Sequence, residues 1–82
     1  MPRYWVYMLR CSDGTLYTGY TVDLDRRVAS HGSGRGSKYT RSRLPVELVY
    51  SEEASSLRGA LKREAAIKKL SRREKTLLLS GA

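Results

Sequence analysis

This chain of 82 residues has only a single cysteine, Cys11, and a single histidine, His31. A lone cysteine cannot close an internal disulfide, and one cysteine with one histidine cannot build a zinc cage. Long apolar runs are missing too. The chain opens Met1-Pro2-Arg3-Tyr4-Trp5 and passes straight into a strand-like pattern, with no stretch long enough for a signal peptide or a membrane span. The expectation is a soluble, cytoplasmic protein with no membrane partner. Acid is also scarce: sixteen Lys and Arg stand against eight Asp and Glu, a net charge of +8. Between Arg26 and Arg43 lie six basic residues (Arg26, Arg27, Arg35, Lys38, Arg41, Arg43) and no acid. On so small a body this predicts one positive flank fit for phosphate, hence DNA or RNA. The plain alternative is a solvated surface that serves solubility alone.

A chain of this length supplies one domain, residues 1–82, with one core, and its stability is marginal enough for every large apolar side chain to matter. Trp5 to Arg10 is rich in aromatic and aliphatic residues, Thr15 to Thr21 follows in the same style, and Asp13-Gly14 between them signals a β-hairpin. Asp23 to His31 reads as a short helix, with acids in its first turn, Leu24 and Val28 on one face and an end near Gly32. Gly32 to Ser37 holds three glycines and predicts a flexible basic loop; it lacks the Gly-Lys-Ser/Thr of a phosphate-binding P-loop. Pro45 to Tyr50 predicts a third strand. From Ser55 onward, Leu57, Leu61, Ala65 and Ile67 recur at helical steps, and Ser71-Arg72-Arg73-Glu74 has the capping-box spacing of a last helix. The order is ββαβαα.

Several residues have the chemistry for more than packing. Tyr7 and Tyr17 lie on the two arms of the hairpin, an ordinary aromatic cross-strand pair unless something else joins them. Arg27 and His31, four apart, share one side of the first helix, where either is more commonly just solvated. Glu64 falls three residues after Leu61 and seven after Leu57, on the face those leucines are expected to turn to the core. A carboxylate there needs a reason, the plain one being an i,i+4 ion pair with Lys68.

Together these residues resemble the GIY-YIG nuclease domain over nearly the whole chain. Trp5-Val6-Tyr7 stands where that family has GIY, Tyr17-Thr18-Gly19 where it has YIG, followed by Asp23-Leu24-Asp25-Arg26-Arg27 with His31, and by Arg63-Glu64 in a later helix. More closely, the chain resembles the stand-alone bacterial members that are little more than this domain. It departs from the asparagine that many family nucleases carry near the end of the domain, since it has none.

The resemblance implies an α+β fold, a three-stranded antiparallel sheet flanked by helices. It implies a catalytic cleft of Tyr7, Tyr17, Arg27, His31 and Glu64, with Glu64 holding a divalent cation, Mg2+ or Mn2+. The expected activity is endonuclease-type hydrolysis of DNA phosphodiester bonds with low sequence specificity. Tyr7 would be the base, made acidic enough by Arg27 or His31, and Tyr17 would bind phosphate or water, although the two roles can be exchanged. Arg26, Arg35, Lys38, Arg41 and Arg43 would follow the backbone of a branched, damaged or plain nucleic acid, with a protein partner for targeting. The rivals are a non-catalytic DNA- or RNA-binding module and a protein-interaction adaptor. One geometric consequence follows from strand parity. A two-residue Asp13-Gly14 loop would set Tyr7 and Tyr17 on opposite faces, so a shared cleft requires an odd loop, Ser12-Asp13-Gly14 with Gly14 at positive φ, or a bulge.

Overall fold

A computed structural model describes residues 3–81; Met1 and Pro2, with which the reading of the N-terminus began, and Ala82 lie outside them. The elements are β1 (Tyr4–Arg10), β2 (Leu16–Thr21), α1 (Leu24–Gly32), α2 (Lys38–Arg41), β3 (Glu47–Ala54), α3 (Leu57–Lys68) and α4 (Arg72–Leu79). The strands form one antiparallel sheet in the order β2-β1-β3. The α+β class, the sheet and the expected order are present, with one addition, the short helix α2.

The hairpin loop is odd. Cys11 N–H donates to Thr15 C=O at 2.9 Å, leaving Ser12-Asp13-Gly14 as the loop, with Gly14 at φ +83°. The resulting register sets Tyr7 opposite Gly19 and Leu9 opposite Tyr17, with no slip along the pair. Opposed residues share a face and side chains alternate, so Tyr7, Leu9, Tyr17 and Gly19 all project to one side. On the other pair, β1 meets β3 with one extra residue between Tyr50 and Leu48, and consecutive residues Val49 and Tyr50 both pack against the core.

The opposite face of β1 carries Val6 and Met8, fully buried against Ala60 and Ile67 of α3, with Leu78 and Leu79 of α4 closing the cluster. This corrects the reading of α3. Leu57 and Leu61 remain 44% and 41% exposed, and Ala65 is exposed as well. The buried stripe is Ala60, Glu64 and Ile67, spaced by four and three, with Glu64 at its margin. The small Ala60 lets the helix sit close to the sheet, a fit that leucines on that stripe would prevent. Arg63 fastens α3 to β3 from outside, its Nε donating to both oxygens of Glu52, to which the Tyr50 hydroxyl also donates at 2.7 Å. The helix ends follow local rules: Asp23, Ser37, Ser56 and Ser71 are N-caps, and Ser71 with Glu74 makes the expected capping box.

Candidate active site

Tyr7 is long, and Gly19 directly across from it has no side chain. A Cβ on Gly19 would come within 2.7 Å of the Tyr7 hydroxyl oxygen, so the missing side chain is what lets the phenol lie across β2 toward the sheet edge. There it meets His31 from α1, whose Nε2 is 2.8 Å from the hydroxyl. His31 is 1% exposed, which the sequence did not foretell for a residue near the end of a short helix. Its other nitrogen, Nδ1, is 2.8 Å from Oγ1 of Thr40, a fully buried residue of α2. Tyr17 packs its ring 6.4 Å from that of Tyr7 and 5.1 Å from His31, and Tyr39 stacks on Tyr17 at 6.0 Å.

In front of this buried group lies an open depression of about 350 Å³ lined by Tyr7, Tyr17, Gly19, Arg27 and Glu64, among others. A second depression adjoins it, sharing Thr21, Val22 and Arg27 and adding Arg26. Arg27 is exposed, and among the described residues it forms no ion pair. Glu64 reaches the depression from α3 with its side chain 17% exposed; it also pairs with Lys68 at 3.6 Å, as the plain reading of the sequence anticipated. The five candidate residues therefore form one constellation from four elements, β1, β2, α1 and α3, with His31 behind Tyr7.

The electrostatics correct one expectation. Burial, and next the charge of Tyr17, push the Tyr7 phenol well above its ordinary value; Arg27 pulls it down and Glu64 adds to the rise. His31 supplies no cation to help, because burial and the charge of Arg27 hold it below its ordinary value and hence neutral at pH 7. The surroundings of Tyr7 thus keep it protonated.

No group of three or more His, Cys, Asp or Glu residues suited to a metal ion occurs among the described residues. The depression does offer one carboxylate beside phenolic oxygens, a hard oxygen set. Mg2+ commonly binds through one or two carboxylates plus substrate phosphates while keeping several waters. Glu64 fits a cation shared with substrate, not a closed protein cage.

The basic flank divides. Arg26 lines the second depression, and Arg35, Lys38 and Arg41 are exposed. Arg43 is engaged: its Nε donates to Asp13 at 2.9 Å, one Nη donates to the carbonyl of Tyr39, and the guanidinium lies 3.8 Å over the Tyr39 ring. The hairpin loop thus brings an acid to a stretch that has none of its own. Thr40 and Gly36 escaped sequence reasoning. The only hint was Ser37 in N-cap position, three residues before Thr40.

A strand-crossing tyrosine pair, an arginine and a histidine on α1 and a carboxylate on α3, all around a three-stranded sheet, define the class, and a family model of the GIY-YIG catalytic domain matches residues 3–77. The chain belongs to the GIY-YIG family, and that membership implies a nuclease-type function on nucleic acid. Within it, several similar proteins bear the name UPF0213. A UPF0213 protein of Syntrophus aciditrophicus is 56% identical over 80 residues, 96% of this chain and 92% of that one. The solution NMR structure of the UPF0213 protein BH0048 from Bacillus halodurans matches with TM-score 0.63 and 49% identity, over 95% of this chain and 83% of that one. The protein EF2693 from E. faecalis, also solved by solution NMR, matches with TM-score 0.66 and 40% identity, over 99% and 86%. No helix among the described residues is long and apolar enough to cross a membrane.

Proposed function

We propose that the chain is a divalent-cation-dependent phosphodiesterase that cuts DNA in an endonuclease-type reaction with little sequence specificity. The observation that carries this reading is the convergence of Tyr7, Tyr17, Arg27 and Glu64 on one open depression, with His31 hydrogen-bonded behind Tyr7 at 2.8 Å. Arg27 binds the scissile phosphate, being exposed and free of ion pairs among the described residues. His31 Nε2 takes the phenolic proton of Tyr7, and the Tyr7 oxygen takes a proton from the attacking water. The water oxygen bonds to phosphorus as the bond to the 3' oxygen breaks, and the leaving oxygen is protonated from solvent. The hydrogen bond to His31 favours Tyr7 over Tyr17 as the base. Tyr17 holds the phosphate or the water.

The first proton transfer is uphill. Ordinary values of about 10 for tyrosine and about 6.5 for histidine already separate the two by about 5 kcal/mol, and burial here widens the gap. Glu64 would hold a cation such as Mg2+ or Mn2+, which when bound would offset the carboxylate charge that adds to the rise of Tyr7 and would supply positive charge for the departing oxygen. Arg26, Arg35, Lys38 and Arg41 contact the DNA backbone, which carries little sequence information.

The test is a panel of single-stranded, duplex, branched and RNA substrates, with and without Mg2+ or Mn2+. Glu64→Ala should abolish cleavage while leaving metal-free DNA binding unchanged or slightly tighter. Tyr7→Phe should lower cleavage by about a hundredfold or more. A parent that binds DNA but cuts nothing on the panel would reduce the protein to a binding module, and variants that cut as fast as the parent would remove Glu64 and Tyr7 from the reaction.

A further inference from the structure

Behind the open depression, on the side away from the substrate, the segment Gly36 to Thr40 is folded down onto the His31 ring. Gly36 sits so close that a Cβ on it would collide with the imidazole. Four residues on, Thr40 is fully buried with its Oγ1 2.8 Å from His31 Nδ1, 2.9 Å from Ser37 Oγ and 3.4 Å from the Ser37 carbonyl oxygen. This places the one oxygen that faces the far nitrogen of His31 within a set of partners of its own.

We propose that Thr40 is a positioning residue: it holds His31 in the tautomer that carries its proton on Nδ1, so that Nε2 presents a lone pair to the Tyr7 hydroxyl. Hydrogen-bond accounting selects this arrangement. A neutral imidazole has one donor and one acceptor nitrogen. With the proton on Nδ1, that nitrogen donates to Thr40 Oγ1, and Thr40 passes its own hydrogen to Ser37. The Tyr7 hydroxyl then donates to Nε2, and every polar atom of the group is used. With the proton on Nε2 instead, His31 would donate to the Tyr7 oxygen. The Tyr7 hydrogen would then have no protein acceptor among the described residues and would have to turn to water in the depression that Tyr7 lines. The Nδ1–H form alone gives every hydrogen of the group a partner within the protein, and this favours it.

The consequence for cleavage rests on the nuclease reading, because only an Nε2 lone pair can receive the phenolic proton. The tautomer itself does not rest on it. His31 is the only histidine, so its ring nitrogens give unambiguous signals in long-range 15N–1H correlation spectra, recorded at about pH 7.5 where the ring is neutral. The parent should show a single Nδ1–H tautomer. Thr40→Val keeps the shape but removes the oxygen; it should mix the tautomers and slow cleavage by about tenfold to a hundredfold, as loss of an orienting partner commonly does. Thr40→Ser keeps the oxygen and should restore both the tautomer and the rate. A parent in the Nε2–H form overturns the proposal, as does a folded Thr40→Val with the parent's tautomer and rate. Should Thr40→Val not fold, a folded Thr40→Ser with mixed tautomers overturns it and one with the parent's spectrum upholds it. A parent that cuts no substrate refutes the nuclease reading, while the spectrum still decides the role of Thr40.

Discussion

The two faces of β1 are equally dry and do different work. On one, Val6 and Met8 are fully buried against Ala60 and Ile67, residues that ask nothing of their neighbours but contact. On the other, Tyr7, at 2% exposure, meets His31, which in turn meets Thr40, and each of these polar atoms has a partner. Burying an apolar side chain stabilises by about 1.5–3 kcal/mol, whereas a hydrogen bond exchanged for one with water nets about 1 kcal/mol or less, after desolvation. The first face is held by apolar contact alone. The second buries Leu9 and the Tyr7 ring as well, and its hydrogen bonds, which add little to stability, hold a phenol and an imidazole one bond apart. A single strand can serve both ends because its side chains alternate, and the odd hairpin loop decides which residues fall on which side.

Substitution at Ile67 is the strongest way to break this contrast. Ile67 is fully buried in the apolar cluster, so Ile67→Ala should cost about 2–5 kcal/mol in urea denaturation, through lost burial and the cavity left behind. Tyr7→Phe, with the ring kept and one hydrogen bond to His31 removed, should cost about 1 kcal/mol. A larger loss from Tyr7→Phe than from Ile67→Ala would mean that the polar face, not the apolar one, stabilises the sheet.

The sequence displayed one of these faces better than the other. Strand alternation left only two choices for Tyr7 and Tyr17, and the shared cleft that the resemblance implies selected the odd loop that sets them on one side. Ser71 and Glu74 announced their helix for the same kind of local reason. On α3 the rule was ambiguous. Leu57 and Leu61 made as good a stripe as Ala60 and Ile67, and what decided between them was how closely the helix approaches the sheet, a tertiary matter. Glu64 borders both stripes, so its position at the cleft survived the wrong choice. The hold on His31 was hidden because α2 has only four residues, too few for any periodicity, and because Thr40 acts through contacts with residues distant along the chain. Likewise nothing near Arg43 in sequence announced Asp13, thirty residues away.

A smaller effect separates the basic groups of the two sides. Arg35 and Lys38 are exposed beside the polar face, while Arg58 and Lys62 are exposed on the helix that covers the apolar face. Each duplex phosphate neutralised contributes about 0.9 to the slope of log affinity against log salt. Changing Arg35 and Lys38 to Ala should lower that slope by about two. The pair Arg58→Ala and Lys62→Ala should leave it near the parent's. The same holds for Arg43→Ala, since Arg43 is already paired with Asp13. A slope that follows Arg58 and Lys62 instead would move the nucleic acid to the other side of the sheet.

The smallest expected effect is a pH dependence that the polar face has and the apolar face lacks. Burial, then the charge of Arg27, hold His31 below its ordinary value in the folded protein, while in the unfolded chain it binds a proton near 6.5. Between those two values the unfolded state carries more protons, so stability rises with pH through that window and is flat above it. Lowering the pH from about 7.5 toward 5 should therefore destabilise the protein, by no more than about 1.4 kcal/mol per pH unit for one proton. Asp13 and Glu74, both held below their ordinary values by hydrogen bonds, titrate in a more acidic range and do not enter this window. Beside the His31 ring, Tyr7 is held above its ordinary value and Thr40 does not ionise, so neither changes charge in this window. Urea denaturation at intervals across this range measures the stability, and the NMR signals of His31 give its titration in the folded state directly. A folded His31 that titrates at or above 6.5, with stability unchanged down to pH 5, would mean that the imidazole is open to water and that the face holding it is not dry.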